Sequence, residues 1–194
     1  VTRSGLKVIF CDVSIDNYTI DTKKLLKLIN KKTSAIIAVH LYGHPCNMDE
    51  LLRIKKKYKL KLIEDCAQAH GSFYKNNHVG TYGDISTFSF YPGKNLGAYG
   101  DAGAITTNNK KYLNSLLKLR NLGGIKKYQH SLIAFNSRLD TIQAAILINK
   151  LKHLNSNNQK RVMIALYYKK NINNKYITML RYSRGCVYHQ FVIL

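Results

Sequence analysis

Three observations predict an α/β fold whose mostly parallel sheet is flanked by helices. Short apolar runs alternate with stretches of helical periodicity in a βαβαβ rhythm. Each apolar run stops at glycine, proline or a polar residue, as strands do at the edge of a sheet. The 194 residues are enough for one substantial core that needs neither disulfides nor metals.

The elements follow in order. Leu6 to Val13 (LKVIFCDV) alternates loosely and reads as a strand. Asp21 is placed to cap a helix that sets Leu25, Leu28 and Ile29 on one face. Ser34 to Leu41 is a second strand, closed by the turn Tyr42-Gly43-His44-Pro45. Asn47 followed by Glu50 has capping-box spacing and opens a helix through about Tyr58, with Met48, Leu51, Leu52 and Ile54 inward. Leu60 to Glu64 is a third strand. Gly80 to Gly83 turns the chain into a central strand, Ile85 to Phe90, and Ala102 to Thr107 forms another. Lys110 to Leu119 is a helix with Leu113, Leu116 and Leu117 on one face. The loop from Gly123 to Asn136 carries Tyr128, Gln129 and His130 and is long enough to be a binding loop. From Arg138 to about Tyr168 the spacing of Leu139, Ile142, Ala145, Ile146, Leu151, Val162, Ala165 and Leu166 is helical, with a break expected near Asn155 to Asn158 and an Arg138–Asp140 pair at its start. Val187 to Leu194 begins one more strand. No internal repeat or linker divides the chain.

The charge balance is strongly basic, 31 Lys and Arg against 10 Asp and Glu for a formal +21. Lysine travels with asparagine throughout (Asn76-Asn77, Asn108-Asn109, Asn157-Asn158, Asn173-Asn174), which spreads the charge instead of gathering it into a nucleic-acid patch. Such a field still attracts anionic substrates and phosphate esters. No apolar run is long enough to span a bilayer and no signal-peptide pattern opens the chain, so a cytoplasmic protein is expected. Cys11, Cys46, Cys66 and Cys186 form no CxxC pair and read as reduced thiols. His40, His44 and His70 have no metal-site spacing and read as structural.

The chemistry-bearing stretch is ISTFSFYPGKNLGAYGDAG, Ile85 to Gly103. Lys94 follows a buried strand and is flanked by small residues that let another molecule approach. An amine partly removed from water there can attack a carbonyl and form an imine. Asp65 leaves the third strand at the same edge of the predicted sheet, where ligands of parallel sheets bind. Its carboxylate either caps the turn behind it or faces a cleft. In the second case, Asp65 and Lys94 are the two groups that pyridoxal phosphate requires, one to protonate the ring nitrogen and one to form the imine.

Three motifs, IEDCAQAHG (Ile63 to Gly71), GDISTFSFYPGKNLGAYGDAGAI (Gly83 to Ile105) and FNSRLDTIQAAIL (Phe135 to Leu147), with VHLYGHPCNMDEL (Val39 to Leu51) ahead of them, resemble the DegT/StrS family of sugar-nucleotide aminotransferases. The resemblance implies an aspartate-aminotransferase-like, fold type I large domain in residues 1–154. Residues 155–194 would be a connecting helix and the start of a small C-terminal domain. It implies that Lys94 forms the imine with pyridoxal 5'-phosphate and shuttles a proton, that Asp65 pairs with the pyridine nitrogen, and that Gln68 lies by the phenolic oxygen. Ser89 would hydrogen-bond the phosphate, and Asn136 would reach the phosphate of a neighbouring subunit's cofactor in a homodimer. Gln at position 68 is more similar to members that aminate the 3-keto carbon of a nucleotide-linked hexose, with glutamate as amino donor by family analogy. Set against the family, the chain starts at a mid-domain strand, without a glycine/serine-or-threonine phosphate loop, and stops inside the strand that opens the small domain. Two other classes stand beside this reading: a catalytically inactive remnant, and a basic nucleic-acid binder.

Overall fold

The computed structural model describes residues 1–194. A four-stranded sheet runs in the order β1-β2-β5-β6, with β1 Ala35–Val39, β2 Lys61–Asp65, β5 Ile85–Ser89 and β6 Gly103–Thr106. The first three strands are parallel, and β6 returns antiparallel to β5. A two-stranded hairpin, β3 Phe73–Tyr74 and β4 Asn77–His78, lies between β2 and β5. Five helices complete the chain: α1 Thr22–Leu28, α2 Met48–Tyr58, α3 Lys110–Arg120, α4 Thr141–Leu151 and α5 Leu154–Asn171. No helix is long and apolar enough to cross a membrane.

The largest core forms where α1 and α2 cover one face of β1 and β2. Leu25, Ile36, Ala38, Cys46, Met48, Leu51, Ile54, Leu60 and Leu62 interlock there, and alternate residues of β1 point into it because strand side chains have a period of two. Asp21 caps α1 by accepting from the amides of Lys23 and Lys24. Asn47 caps α2 by accepting from the Glu50 amide. The return leg of a capping box is absent, because the Glu50 carboxylate instead accepts the Thr22 hydroxyl and so joins α2 to α1.

Register sets up the site. Val39 of β1 lies beside Asp65 of β2, which lies beside Thr87 of β5, so β1 and β2 end together and β5 runs on to Ser89 at the same edge. The segments that leave them, His40 to Gly43, Cys66 to Gly71 and Phe90 to Ala98, converge beyond that edge.

Four expectations are corrected. Leu6 to Val13 is not a strand: it joins no ladder, its one bridge is Val13 to Ile20, and Phe10 is 90% exposed. Val187 to Leu194 is likewise irregular; Val187 and His189 donate to the carbonyls of Gly43 and Tyr42, and Ile193 bridges Met179. The break in the long helical stretch falls at Lys152-His153, and Asn155 to Asn158 form the first turns of α5. Arg138 does not pair with Asp140. Its guanidinium donates to Asn136 Oδ1 at 3.0 Å and to Asn121 Oδ1 at 3.4 Å, because a neutral amide cluster at the end of α3 lies within its reach. The buried side of α4 is the one carrying Leu147, which packs with Leu96, Ala98 and Leu154, while Ile142 and Leu151 face outward.

Candidate active site

Four of the five sequence-predicted residues gather at the C-terminal edge of the parallel strands. Asp65 is the last residue of β2, half-buried, with Oδ1 accepting from the Ala67 amide at 3.0 Å. It therefore caps the turn behind it with one oxygen and keeps Oδ2 without a protein partner. Gln68 sits on that turn, its Oε1 accepting from the Tyr42 amide at 2.6 Å, which leaves the Nε2 protons free. Ser89 is the last residue of β5; its oxygen accepts from the Tyr91 amide at 3.3 Å, and its hydroxyl proton has no partner.

Lys94 lies in a tight loop closed at both ends, with its amide on Tyr91 O at 2.9 Å and Ala98 N on Phe90 O at 2.7 Å. Gly97 makes that closure possible, since a Cβ there would stand 2.3 Å from Pro92 O. The half-buried Lys94 ammonium joins no ion pair and no side-chain hydrogen bond. Its charge is felt by both neighbouring imidazoles. Burial, followed by the charges of His189 and Lys94, pushes His70 down to about 4, although the nearby Ser89 backbone opposes this. Burial, then Lys94 and Arg161, lowers His189. Tyr91 is exposed and contributes its carbonyl to the loop.

Asn136 is not brought to the other four. It lies on the exposed loop after α3, bridged to Asn121, with Oδ1 taken by Arg138. The loop itself is held by Ser131 N to Gly123 O and by contact of His130 Nδ1 with Leu122 O, and Tyr128 projects into solvent.

The donor set fits pyridoxal phosphate. Three side chains each spend an acceptor on the protein and keep a complementary group, a carboxylate oxygen of Asp65 for a pyridinium N–H, an amide N–H of Gln68 for a phenolate and the hydroxyl proton of Ser89 for a phosphate, while Lys94 keeps its unpaired amine for a carbonyl.

Beneath the site lies a buried polar cluster. Glu64 accepts from the amides of Gly80 at 2.7 Å, Tyr82 at 2.8 Å and Gly83 at 2.5 Å, from Ser86 Oγ at 3.3 Å, and from His40 Nε2 at 3.0 Å. His40 Nδ1 accepts from the Cys46 amide, so the ring is neutral and its Nε2 proton points at Glu64. Burial pushes the Glu64 carboxyl up, but the hydrogen bonds from His40, Gly80 and Gly83 outweigh it and hold the group below the usual range. His40, Glu64 and Cys66 stand close enough to ligate a cation. The amides already on the carboxylate make the cluster a hydrogen-bonded anchor for the turn that feeds β5.

Sequence reasoning missed Asn95, Asn158 and His189. Asn95 donates to Asn158 Oδ1 at 2.9 Å and meets His189 Nδ1 at 3.0 Å. The available signal was spacing, because Asn158 shares a helix face with Leu154 and Ala165, both buried.

All 194 residues match the model of the DegT/DnrJ/EryC1/StrS aminotransferase family. The chain belongs to this family. Among curated relatives, the dTDP-3-amino-3,6-dideoxy-alpha-D-galactopyranose transaminase of Aneurinibacillus thermoaerophilus is 47% identical over 100% of the chain and 54% of its own length. The dTDP-3-amino-3,4,6-trideoxy-alpha-D-glucose transaminase of Streptomyces venezuelae is 41% identical over 87% of the chain and 44% of its own length. The fold is that of solved family members. DesV of S. venezuelae, in complex with a ketimine intermediate, matches with a TM-score of 0.90 and 38% identity over 95% of the chain and 51% of its own. PseC of Helicobacter pylori matches with 0.93 and 30% identity over 100% and 53%. The chain spans about half the length of the curated relatives it matches.

Proposed function

We propose that this chain is the cofactor-bearing part of a pyridoxal-phosphate-dependent aminotransferase acting on a keto group of a nucleotide-linked deoxyhexose. The observation that carries the reading is the set of complementary free groups on Asp65, Gln68, Ser89 and Lys94 at one edge of the sheet. When bound, the cofactor supplies an electron sink that stabilises the carbanion formed as an amino group is exchanged. Asp65 Oδ2 would hold the ring nitrogen protonated, Gln68 Nε2 would donate to the phenolic oxygen, and Ser89 would donate to the phosphate. Lys94 would bind the cofactor's carbonyl carbon and then move a proton with its released amine. A related protein of Bacillus subtilis solved with PMP supports this cofactor.

The 3-keto carbon is the favoured position. Gln68 points to it, and several relatives carry the amino or oxo group at carbon 3 in their names, among them those of A. thermoaerophilus and S. venezuelae. Glutamate as donor is supported by the B. subtilis relative named 3-oxo-glucose-6-phosphate:glutamate aminotransferase.

We infer a homodimer with shared sites. Ile133 and Phe135, beside Asn136, are exposed apolar side chains, as are Ile142 and Ile148 of α4, and a second copy covering them would bring Asn136 toward a cofactor phosphate. In this reading residues 1–154 form the cofactor-binding part, α5 is the connecting helix of residues 155–194, and the enzyme works in the cytoplasm. The test is to incubate the protein with the cofactor, glutamate and dTDP-linked 3-keto or 4-keto 6-deoxyhexoses, and to detect the amino sugar by mass. Amination of the 3-keto sugar is expected; amination of the 4-keto sugar alone would reassign the position, and of neither would refute the reading.

A further inference from the structure

A buried amide, that of Asn158, stands behind the lysine loop. Asn158 is 6% exposed and lies on the inward face of α5. Both ends of its amide are used: Nδ2 donates to His70 O at 2.8 Å, and Oδ1 accepts from Asn95 Nδ2 at 2.9 Å. One partner belongs to the turn that follows Asp65 and carries Gln68. The other is the residue directly after Lys94.

The network has a single consistent orientation. A backbone carbonyl only accepts, so Asn158 must turn Nδ2 to His70 and Oδ1 to Asn95. Asn95 then presents Nδ2, which also reaches Val187 O at 3.4 Å, and its Oδ1 receives the proton on His189 Nδ1. Three hydrogen bonds run one way, from His189 through Asn95 and Asn158 to His70, and each polarises the next. Close approach is built in on the other side as well: Gly71 has φ +78°, and a Cβ there would lie 2.8 Å from Asn158 Nδ2. The far end of the lysine loop is held separately, by Lys150 Nζ on Gly97 O at 2.7 Å and by the Tyr99 amide on Gln143 Oε1 at 2.8 Å.

We propose that Asn158 is a positioning residue that ties the Lys94 loop, through Asn95, to the turn bearing Asp65 and Gln68, and so sets the lysine amine against the ring-binding groups. Its functional meaning rests on the cofactor reading above. Groups that act on one ligand must be held to within a fraction of an ångström by residues behind them, and an error of about 1 Å costs orders of magnitude in rate.

The test compares wild type with Asn158→Ala, Asn95→Ala and the double variant by three readouts: cofactor affinity and the rate of appearance of the visible imine band, melting without cofactor, and amide hydrogen exchange over Lys94 to Ala98. Both single variants are expected to weaken cofactor affinity about tenfold and to slow the band by a similar factor. The double variant should be no worse than Asn158→Ala, because one link is being cut twice. Asn95→Ala keeps the α5–His70 bond and leaves only Asn158 Oδ1 unpaired, so its melting should fall less than that of Asn158→Ala while exchange in the lysine loop accelerates. Wild-type affinity and band rate in both single variants, with only a lower melting temperature, would overturn the proposal and leave Asn158 a structural residue. If wild type gives no Lys94-dependent band, the cofactor reading fails. The exchange measurement still decides the tie, which unchanged protection in both variants would refute.

Discussion

Replacing Glu64 by glutamine should destabilise the fold far more than its near-isosteric shape suggests. The carboxylate serves five donors, with Tyr82 N, Gly83 N and Ser86 Oγ on Oε1 and Gly80 N and His40 Nε2 on Oε2. Whichever oxygen becomes an NH2 group, at least two buried donors lose their acceptor and face a donor instead. An unpaired buried polar group costs about 1–3 kcal/mol, so two or three give a loss of about 4 kcal/mol. For a chain of this length that corresponds to a fall of roughly 8–16 °C in melting temperature. Ser86→Ala removes only the 3.3 Å contact and should cost about 1 kcal/mol or less. Urea titration and thermal melts of the three proteins make the comparison. A Glu64→Gln protein within 1 kcal/mol of wild type would show that the amides find other partners and that the cluster is no anchor.

Acid should weaken the fold earlier than its carboxylates alone dictate. His44 and His70 are buried with ring nitrogens that have no partner, and both fall from 6.5 to about 4: His44 through burial and then the charge of Lys169, His70 through burial and then His189 and Lys94. Between those values the unfolded chain binds the protons and the folded chain does not. The stability is therefore complete above pH 6.5 and is lost as pH falls toward 4, by roughly 3 kcal/mol per ring. Stability flat across that window would contradict it. His70→Phe, placing a third apolar ring beside Phe88 and Phe90, should remove about half of the acid sensitivity, as followed by melts at successive pH values.

The parts of the fold legible in the sequence are those where local signals and burial agree. Asp21 and Asn47 announce their helices because an N-cap is a local device. The runs at β1, β2 and β5 alternate or stay apolar because they lie in the sheet. Leu6 to Val13 has the same composition, but a strand exists only where a neighbouring strand completes its hydrogen bonds, and the sheet order gives it none. The inward face of α4 is less legible for a related reason. Gln143 and Lys150 face the lysine loop as hydrogen-bond donors and acceptors to its backbone, and hydrophobic periodicity does not register polar contacts. Lys94 and Asp65 were visible because strand ends in a parallel sheet converge. Asn158 was hidden because its value lies in contacts to Asn95 and His70, far away along the chain.

The central claim is that Lys94 carries pyridoxal phosphate. Its most direct measurement is the absorption spectrum of the purified chain titrated with the cofactor, beside Lys94→Ala. The account predicts a visible imine band in wild type that disappears on borohydride reduction, with the phosphopyridoxyl group then found on Lys94 by peptide mapping, and no such band in Lys94→Ala. The same band in both proteins, or label on another lysine, would contradict it.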